Sequence, residues 1–137
     1  MKRKILVAED CEGAAHSLAF ALERDYDVTA LCGCDGILPA LASQSYEMLV
    51  INIGMLRGRC GNFLGELMAA NPKLIVMTIG KSGAFDLAHE AILSGAAGYF
   101  SLPFDSGAFS TAVKNRLPPD SGPTLQEEPP WQTSTLF

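Results

Sequence analysis

The sequence lacks several of the patterns that identify an enzyme or a metal protein directly. Its four cysteines form no CxxC pair, and no histidine lies near Cys32-Gly-Cys34. This favours reduced cysteines packed as small side chains, with a zinc or redox centre as the alternative. No GxxxxGK or GxGxxG motif occurs, and no Ser/His/Asp or Cys/His set has catalytic logic. An enzyme is therefore not predicted.

Long apolar runs and an excess of positive charge are also absent. No run approaches the ~18 residues that a transmembrane helix needs. The N-terminal MKRKILVAED becomes acidic too soon for a signal peptide. The net charge of −5 argues against nucleic acid or an anionic membrane surface as the main partner. The sequence therefore predicts a cytoplasmic protein that binds neither.

Five apolar segments alternate with five helical patterns along the chain. Strands are predicted at residues 4–8, 27–31, 48–53, 73–79 and 98–101. Helices are predicted at residues 12–24, 37–43, 62–70, 84–93 and 107–116, with Asp35 as the cap of the second. Nearly unbroken apolar strands are typical of a parallel sheet buried on both faces. The fold class is therefore α/β, a three-layer sandwich with right-handed crossovers.

The last twenty residues differ from the rest in composition. Residues 118–137 hold five of the eight prolines, three acids and no base. This is typical of a disordered tail or linker, so the predicted domain is residues 1–117. The segment also contains Trp131, Leu136 and Phe137, apolar side chains that a disordered tail does not need. Two interpretations stay open: an arbitrary terminus, or a short docking peptide for a partner protein.

Polar side chains gather where the predicted strands end. In open α/β sheets the functional crevice lies beyond the carboxyl ends of the strands. Two acids there can bind Mg²⁺ through oxygens, and a hydroxyl beside a cation can hold a phosphoryl oxygen. The fifth strand supplies no cation. The polar members of the candidate site are Glu9, Asp10, Asn52 and Thr78. Leu102 and Pro103, at the end of the fifth strand, complete it.

Four segments together resemble the receiver domain of two-component response regulators. They are ILVAED (5–10), LVINIG (49–54), IVMTIG (75–80) and GAAGYFSLPFD (95–105), and they match in order and spacing. The resemblance covers residues 4–116. It implies a flavodoxin-like fold of five strands and five helices with strand order 2-1-3-4-5. It also implies a role in phosphorelay signal transduction, with a histidine kinase, an output protein or a second copy as the partner and homodimerisation as one option.

The resemblance assigns roles to the residues that match. It implies that Glu9 and Asp10 form the acidic pair that binds Mg²⁺ in the family. Thr78 corresponds to the switch hydroxyl, and Tyr99 to the aromatic side chain that rotates on activation. Pro103 resembles the residue of the family's cis-prolyl junction.

Two of the family's chemical groups are missing. The phosphoacceptor aspartate falls at Asn52, and the invariant lysine falls at Leu102. An amide oxygen is a far weaker nucleophile than a carboxylate and a poorer ligand for Mg²⁺. The two substitutions remove one negative and one positive charge together. The two losses therefore predict a pseudo-receiver that is not an enzyme and has no cofactor beyond weak Mg²⁺ binding. The resemblance implies that such a domain acts through the face formed by helix 4, strand 5 and helix 5.

Several alternatives stay open at this stage. Arg57 and Arg59 follow Asn52 in a glycine-rich loop. Either both side chains point into solvent, or one of them folds back and places its guanidinium on Glu9 or Asp10. A receiver that is still phosphorylated in a Mg²⁺-dependent reaction is a second functional hypothesis, and it needs Asn52, Glu9 or Asp10 as the acceptor. A paralogue that binds an unrelated ligand in the same crevice is a third.

Overall fold

The computed structural model of the chain describes most of the predicted domain. The described residues are 2–10, 12–33, 35–56, 63–81, 85–102 and 106–119. Predictions that concern Arg57, Arg59, Pro103, Trp131, Leu136 and Phe137 lie outside these residues.

Five strands and five helices alternate as the apolar pattern predicts. The strands are β1 (Lys4–Glu9), β2 (Asp27–Cys32), β3 (Met48–Asn52), β4 (Ile75–Lys81) and β5 (Gly98–Leu102). The helices are α1 (Glu12–Leu22), α2 (Ile37–Ser43), α3 (Phe63–Ala70), α4 (Phe85–Leu93) and α5 (Ser106–Arg116). One turn of 3-10 helix, Ile53–Leu56, follows β3 directly.

The strands form one parallel sheet in the order β2-β1-β3-β4-β5, which confirms the predicted fold class. In register, Ala8 lies beside Ile51, Ile51 beside Thr78, and Thr78 beside Tyr99. Because all strands are parallel, their carboxyl ends meet at one edge of the sheet. Glu9, Asn52 and Leu102 each occupy the last position of a strand at this edge.

The core has two layers, one on each face of the sheet. Ile5 and Val7 of β1 pack with Phe109 of α5 on one face, the side of α1 and α5. Leu6 and Ala8 pack on the other face with side chains of α2, α3 and α4. All four of these β1 side chains are fully buried. This explains why the strand lacks the alternation of polar and apolar residues seen in sheets with a wet face.

Some element boundaries differ from the prediction. β1 continues to Glu9, so this acid belongs to the strand and does not follow it. β4 begins at Ile75, because the backbone N–H of Leu74 bonds to the carbonyl of Asn71 and closes a turn before the strand. At its other end β4 extends to Lys81, two residues beyond the prediction. The N-cap of α2 is Gly36, with no side-chain cap, so the prediction of Asp35 as the cap is wrong.

Two helix ends were predicted with different success. α1 stops at Leu22, two residues before its predicted end. α4 ends at Leu93, as predicted, and is followed by Gly95, whose φ of 114° favours glycine. None of the helices in the described ranges is long and apolar enough to cross a membrane.

Candidate functional site

Asn52 and Glu9 form a direct side-chain pair at the carboxyl ends of β3 and β1. The amide nitrogen Nδ2 of Asn52 lies 3.0 Å from Oε1 and 3.1 Å from Oε2 of Glu9. Glu9 is only 2% exposed, whereas Asn52 is half-buried. A carboxylate that accepts hydrogen bonds on both oxygens is stabilised in its charged form. The amide of Asn52 therefore stabilises the charged form of Glu9.

The orientation of the Asn52 amide is fixed by a second hydrogen bond. Its oxygen Oδ1 accepts the backbone N–H of Gly54 at 2.8 Å. The reverse orientation would place an oxygen against the Glu9 carboxylate and an N–H₂ group against the N–H of Gly54. Both contacts would be repulsive. Asn52 thus joins the end of β1 to the 3-10 turn.

Two opposing effects act on the carboxyl of Glu9. Burial is the larger and raises its pKa above the ordinary value of 4.5, and the nearby charge of Asp10 adds to the increase. The hydrogen bonds from Asn52 and from the backbone N–H of Asp10 lower the pKa. The N–H of Asp10 lies 3.1 Å from Oε1 of Glu9. The net direction is upward, so Asn52 offsets part of the cost of keeping this charge buried.

The donor set of this edge fits Mg²⁺ poorly. Both oxygens of Glu9 accept the Asn52 amide, and the amide oxygen is used by Gly54. Asp10, the carboxylate that directly follows β1, is exposed. Mg²⁺ requires several free oxygens in near-octahedral geometry. In the ranges that the structure covers, no group of three or more His, Cys, Asp or Glu side chains is placed to hold a metal ion.

Thr78 is fully buried in β4 and directs its hydroxyl at the neighbouring strand. Its Oγ1 donates to the backbone carbonyl of Gly98 at 2.7 Å. Because β4 continues to Lys81, Thr78 lies three positions before the strand ends. Its hydroxyl is thus bonded within the sheet, one register position before Asn52.

Tyr99 of β5 lies on the α4 side of the sheet, packed against that core layer. It is half-buried. Gly80 separates it from Ile53, the first residue of the 3-10 turn. A β-carbon added to Gly80 would lie 2.8 Å from Cγ1 of Ile53 and 3.4 Å from Cε1 of Tyr99. The absence of a side chain at Gly80 therefore lets the 3-10 turn and the tyrosine approach each other.

The structure brings together only part of the predicted site. Glu9 and Asn52 touch, and Asp10 is adjacent through its backbone. Leu102 ends β5 at the same edge, in register with Lys81. The prediction did not identify Gly54, Ile53 or Gly80, because their roles depend on backbone approach. The glycine-rich run after Asn52 was the available signal.

No family model matches the chain. Its sequence is 28% identical over 114 residues to the response regulator protein FleR of Pseudomonas aeruginosa. That match covers 82% of this chain and 24% of FleR, so the chain spans about a quarter of this relative.

Solved structures with the same fold include several response regulators. A receiver domain from Clostridium thermocellum gives a TM-score of 0.74 at 24% identity, over 82% of this chain and 92% of that one. A response regulator from Burkholderia pseudomallei with a phosphorylated aspartic acid, a calcium ion and citrate gives 0.69 at 20% identity, over 83% and 72%. The chain therefore has the receiver fold. Its similarity to FleR supports a receiver-like signalling module.

Proposed function

We propose that this chain is a receiver-like module that signals without aspartyl phosphorylation, through contacts with other proteins. The hydrogen-bonded pair of Asn52 and Glu9 carries the proposal. Asn52 has an amide in place of the acceptor carboxylate. This amide donates hydrogen bonds to both oxygens of Glu9, an acid that would otherwise hold a metal. The amide thereby engages both oxygens that Mg²⁺ would use, and Asn52 offers no carboxylate that could attack a phosphoryl group.

The sheet edge has a physical connection to the proposed contact face. Asn52 holds the N–H of Gly54 in the 3-10 turn, and Ile53 of the same turn packs over Gly80 toward Tyr99. A change at Asn52 can therefore move the turn, and a change in the turn can move Tyr99 on β5. A partner that binds one position of Tyr99 better would shift this equilibrium.

The proposed contact face comprises α4, β5 and α5. On α4, Ile92 is 45% exposed and Leu93 is 73% exposed. Adjacent exposed apolar side chains on one helix favour a protein contact over permanent exposure to water. We propose that this face binds the partner, a histidine kinase, an output protein or a second copy, and that residues 1–117 are the folding unit that presents it.

The chemical part of the proposal is tested with acetyl phosphate and Mg²⁺, using intact mass as the measurement. We expect no phosphate on the natural chain, because Asn52 is not a nucleophile. The double variant Asn52→Asp/Leu102→Lys restores an acceptor and a cation, and we expect it to gain phosphate. Mg²⁺-dependent phosphate on Glu9 or Asp10 of the natural chain would refute the proposal and favour the phosphorylated alternative.

The contact part is tested with two matched charge substitutions. Leu93→Glu places a charge on α4, and Phe20→Glu places the same charge on α1, where Phe20 is 76% exposed. Proteins captured from the source organism by the natural chain should be lost with Leu93→Glu and kept with Phe20→Glu. Equal capture by both variants would show that the α4 face is not the contact surface.

A further inference from the structure

A large cavity lies at the edge of the sheet opposite the Asn52–Glu9 pair. Its volume is about 690 Å³, within the ~300–1,000 Å³ range of pockets that bind ligands. The end of α2 and the loop after it, residues 41–47, line one side. The loop of residues 71–75 lines another, and Arg116 and Leu117 at the end of α5 complete it. We call this the basal cavity.

The charged side chains of the basal cavity are mostly basic. Arg3, Lys73 and Arg116 line it together with a single acid, Glu47. Nη1 of Arg3 bonds to Oε1 of Glu47 at 2.7 Å, which neutralises that acid. Nε of Arg3 is buried and has no hydrogen-bond partner in the part of the chain that the structure describes. Lys73 and Arg116 remain at the rim, so the cavity favours an acidic occupant.

We infer that the occupant is the chain's own C-terminal segment, with the indole of Trp131 in the basal cavity. The segment is acidic, with Asp120, Glu127 and Glu128 and no base, which complements the rim. It is delivered to the site, since α5 ends at Arg116 and Leu117 itself lines the cavity. Trp131 follows Leu117 by 14 residues, and a chain of this length reaches at most about 50 Å when fully extended, so the indole can return to the cavity.

The chemistry of the cavity also fits an indole. The cavity is lined by residues at or just after the C-terminal ends of α2, α3 and α5. One carbonyl at each end, of Ala40, Leu67 and Val113, accepts the N–H of the residue that follows the helix. The later carbonyls have no partner within their helix. Indole Nε1–H is a donor with no acceptor and can bond such a carbonyl. Leu41 and Tyr46 supply apolar contact. Glu127 and Glu128 precede Trp131 closely enough to reach Lys73 and Arg116 on the rim.

Fluorescence tests this inference in the full chain, because Trp131 is the only tryptophan. We expect blue-shifted emission and weak acrylamide quenching in the folded chain, both reverting in denaturant. Neither property should depend on protein concentration. Emission and quenching equal to those in denaturant would overturn the inference. Burial that appears only as concentration rises would identify a second copy as the donor of the tail and would also overturn it.

A matched pair on α2 separates the cavity from general surface effects. Ala42 is exposed and lines the cavity, whereas Leu38 is 42% exposed and does not. Ala42→Arg should red-shift the emission of Trp131 and raise its quenching several-fold, and Leu38→Arg should change neither. If Ala42→Arg fails to fold, Lys73→Glu at the exposed rim provides the same test by repulsion. Buried Trp131 emission in the folded blocking variant would place the indole elsewhere and refute the site.

Discussion

Replacing Asn52 by aspartate is the most informative perturbation of the site. The new oxygen would take the place of Nδ2, which lies 3.0 and 3.1 Å from the two oxygens of Glu9. Two unit charges about 3 Å apart repel by about 1.4 kcal/mol in water and by about 5.5 kcal/mol at an effective dielectric constant near 20. Asn52 is half-buried, so the value lies between these limits.

Protonation sets an upper limit on that cost. The proton goes to the carboxyl with the higher pKa, which is Glu9, since burial raises its pKa above 4.5. A pKa of 4.5 corresponds to about 3.4 kcal/mol for protonation at pH 7, at 1.36 kcal/mol per pH unit, and a raised pKa costs less. The pair would then share one proton. We therefore expect Asn52→Asp to lower the free energy of unfolding by about 1.5–3 kcal/mol at neutral pH without Mg²⁺, relative to the natural chain.

Two comparisons make this prediction specific. The exchange Glu9→Gln/Asn52→Asp keeps one charge and one amide, and both backbone N–H groups of Gly54 and Asp10 still meet an oxygen. We expect its stability to return to within about 1 kcal/mol of the natural chain. Mg²⁺ should restore Asn52→Asp, by about 2.7 kcal/mol at one hundred times its dissociation constant, and should not affect the other two proteins.

The assay is urea denaturation followed by far-UV circular dichroism, with EDTA or with excess Mg²⁺. The reasoning is refuted if Asn52→Asp is as stable as the natural chain in EDTA. It is also refuted if the exchange variant is as unstable as Asn52→Asp, because the cost would then not come from paired charges.

Three further predictions concern other parts of the molecule. Asn52→Ala should raise the pKa of Glu9 further, as read from its carboxyl ¹³C shift, because the hydrogen bonds that lower it are gone. Since a raised folded-state pKa removes stability as pH increases through it, this variant should lose more stability at neutral pH than near pH 4.5, and equal losses would contradict the assignment. Gly80→Ala should lower the free energy of unfolding by about 1–3 kcal/mol and shift the NMR signals of Tyr99, because the added Cβ would lie 2.8 Å from the Ile53 side chain. Gly65→Ala is the control, since a Cβ at Gly65 would have nothing within 4 Å. The hydroxyl of Tyr26 donates to the carbonyl of Leu117, and burial, with a further contribution from Asp25, raises its pKa from 10.0 to about 12. The melting temperature should therefore fall as pH rises from 10.0 through 12, and Tyr26→Phe should abolish that fall.

The fold was predictable because its signal is spread along the chain. Runs such as Lys4–Glu9 and Met48–Asn52 are apolar on both faces, which predicts a parallel sheet, and the resemblance supplied the strand order. Boundaries were less accurate where one hydrogen bond decides them. Leu74 reads as part of the fourth strand by composition, but its N–H bonds to Asn71 in a turn.

The candidate site was predictable in its membership and not in its contacts. Adjacent strands in a parallel sheet bring Glu9 and Asn52 to one edge, so their proximity followed from the order of the strands. The hydrogen bonds from the Asn52 amide to both oxygens of Glu9 could not be predicted from the strand order. The sequence analysis instead considered the guanidinium of Arg57 or Arg59 as the partner of this carboxylate. Side-chain direction depends on local backbone geometry, here the N–H of Gly54 that turns the amide oxygen away.

The basal cavity had no sequence signal. Its lining combines helix ends and loops from four separate parts of the chain, and no periodic pattern marks such positions. The sequence marked the tail by its prolines, acids and apolar residues, but it did not indicate a site for them. The basic rim of the cavity and the placement of Leu117 in its lining connect the two.

The central claim is that the Asn52–Glu9 pair replaces the chemistry of phosphorylation. It is tested most directly by an NMR titration of the natural chain with Mg²⁺ and then beryllofluoride, a mimic of an acyl phosphate. The account predicts that the amide signals of Glu9, Asn52, Thr78 and Tyr99 do not move in millimolar amounts of either. Saturable shifts of these signals would show that the crevice still binds a metal and an acyl-phosphate mimic, which would contradict the account.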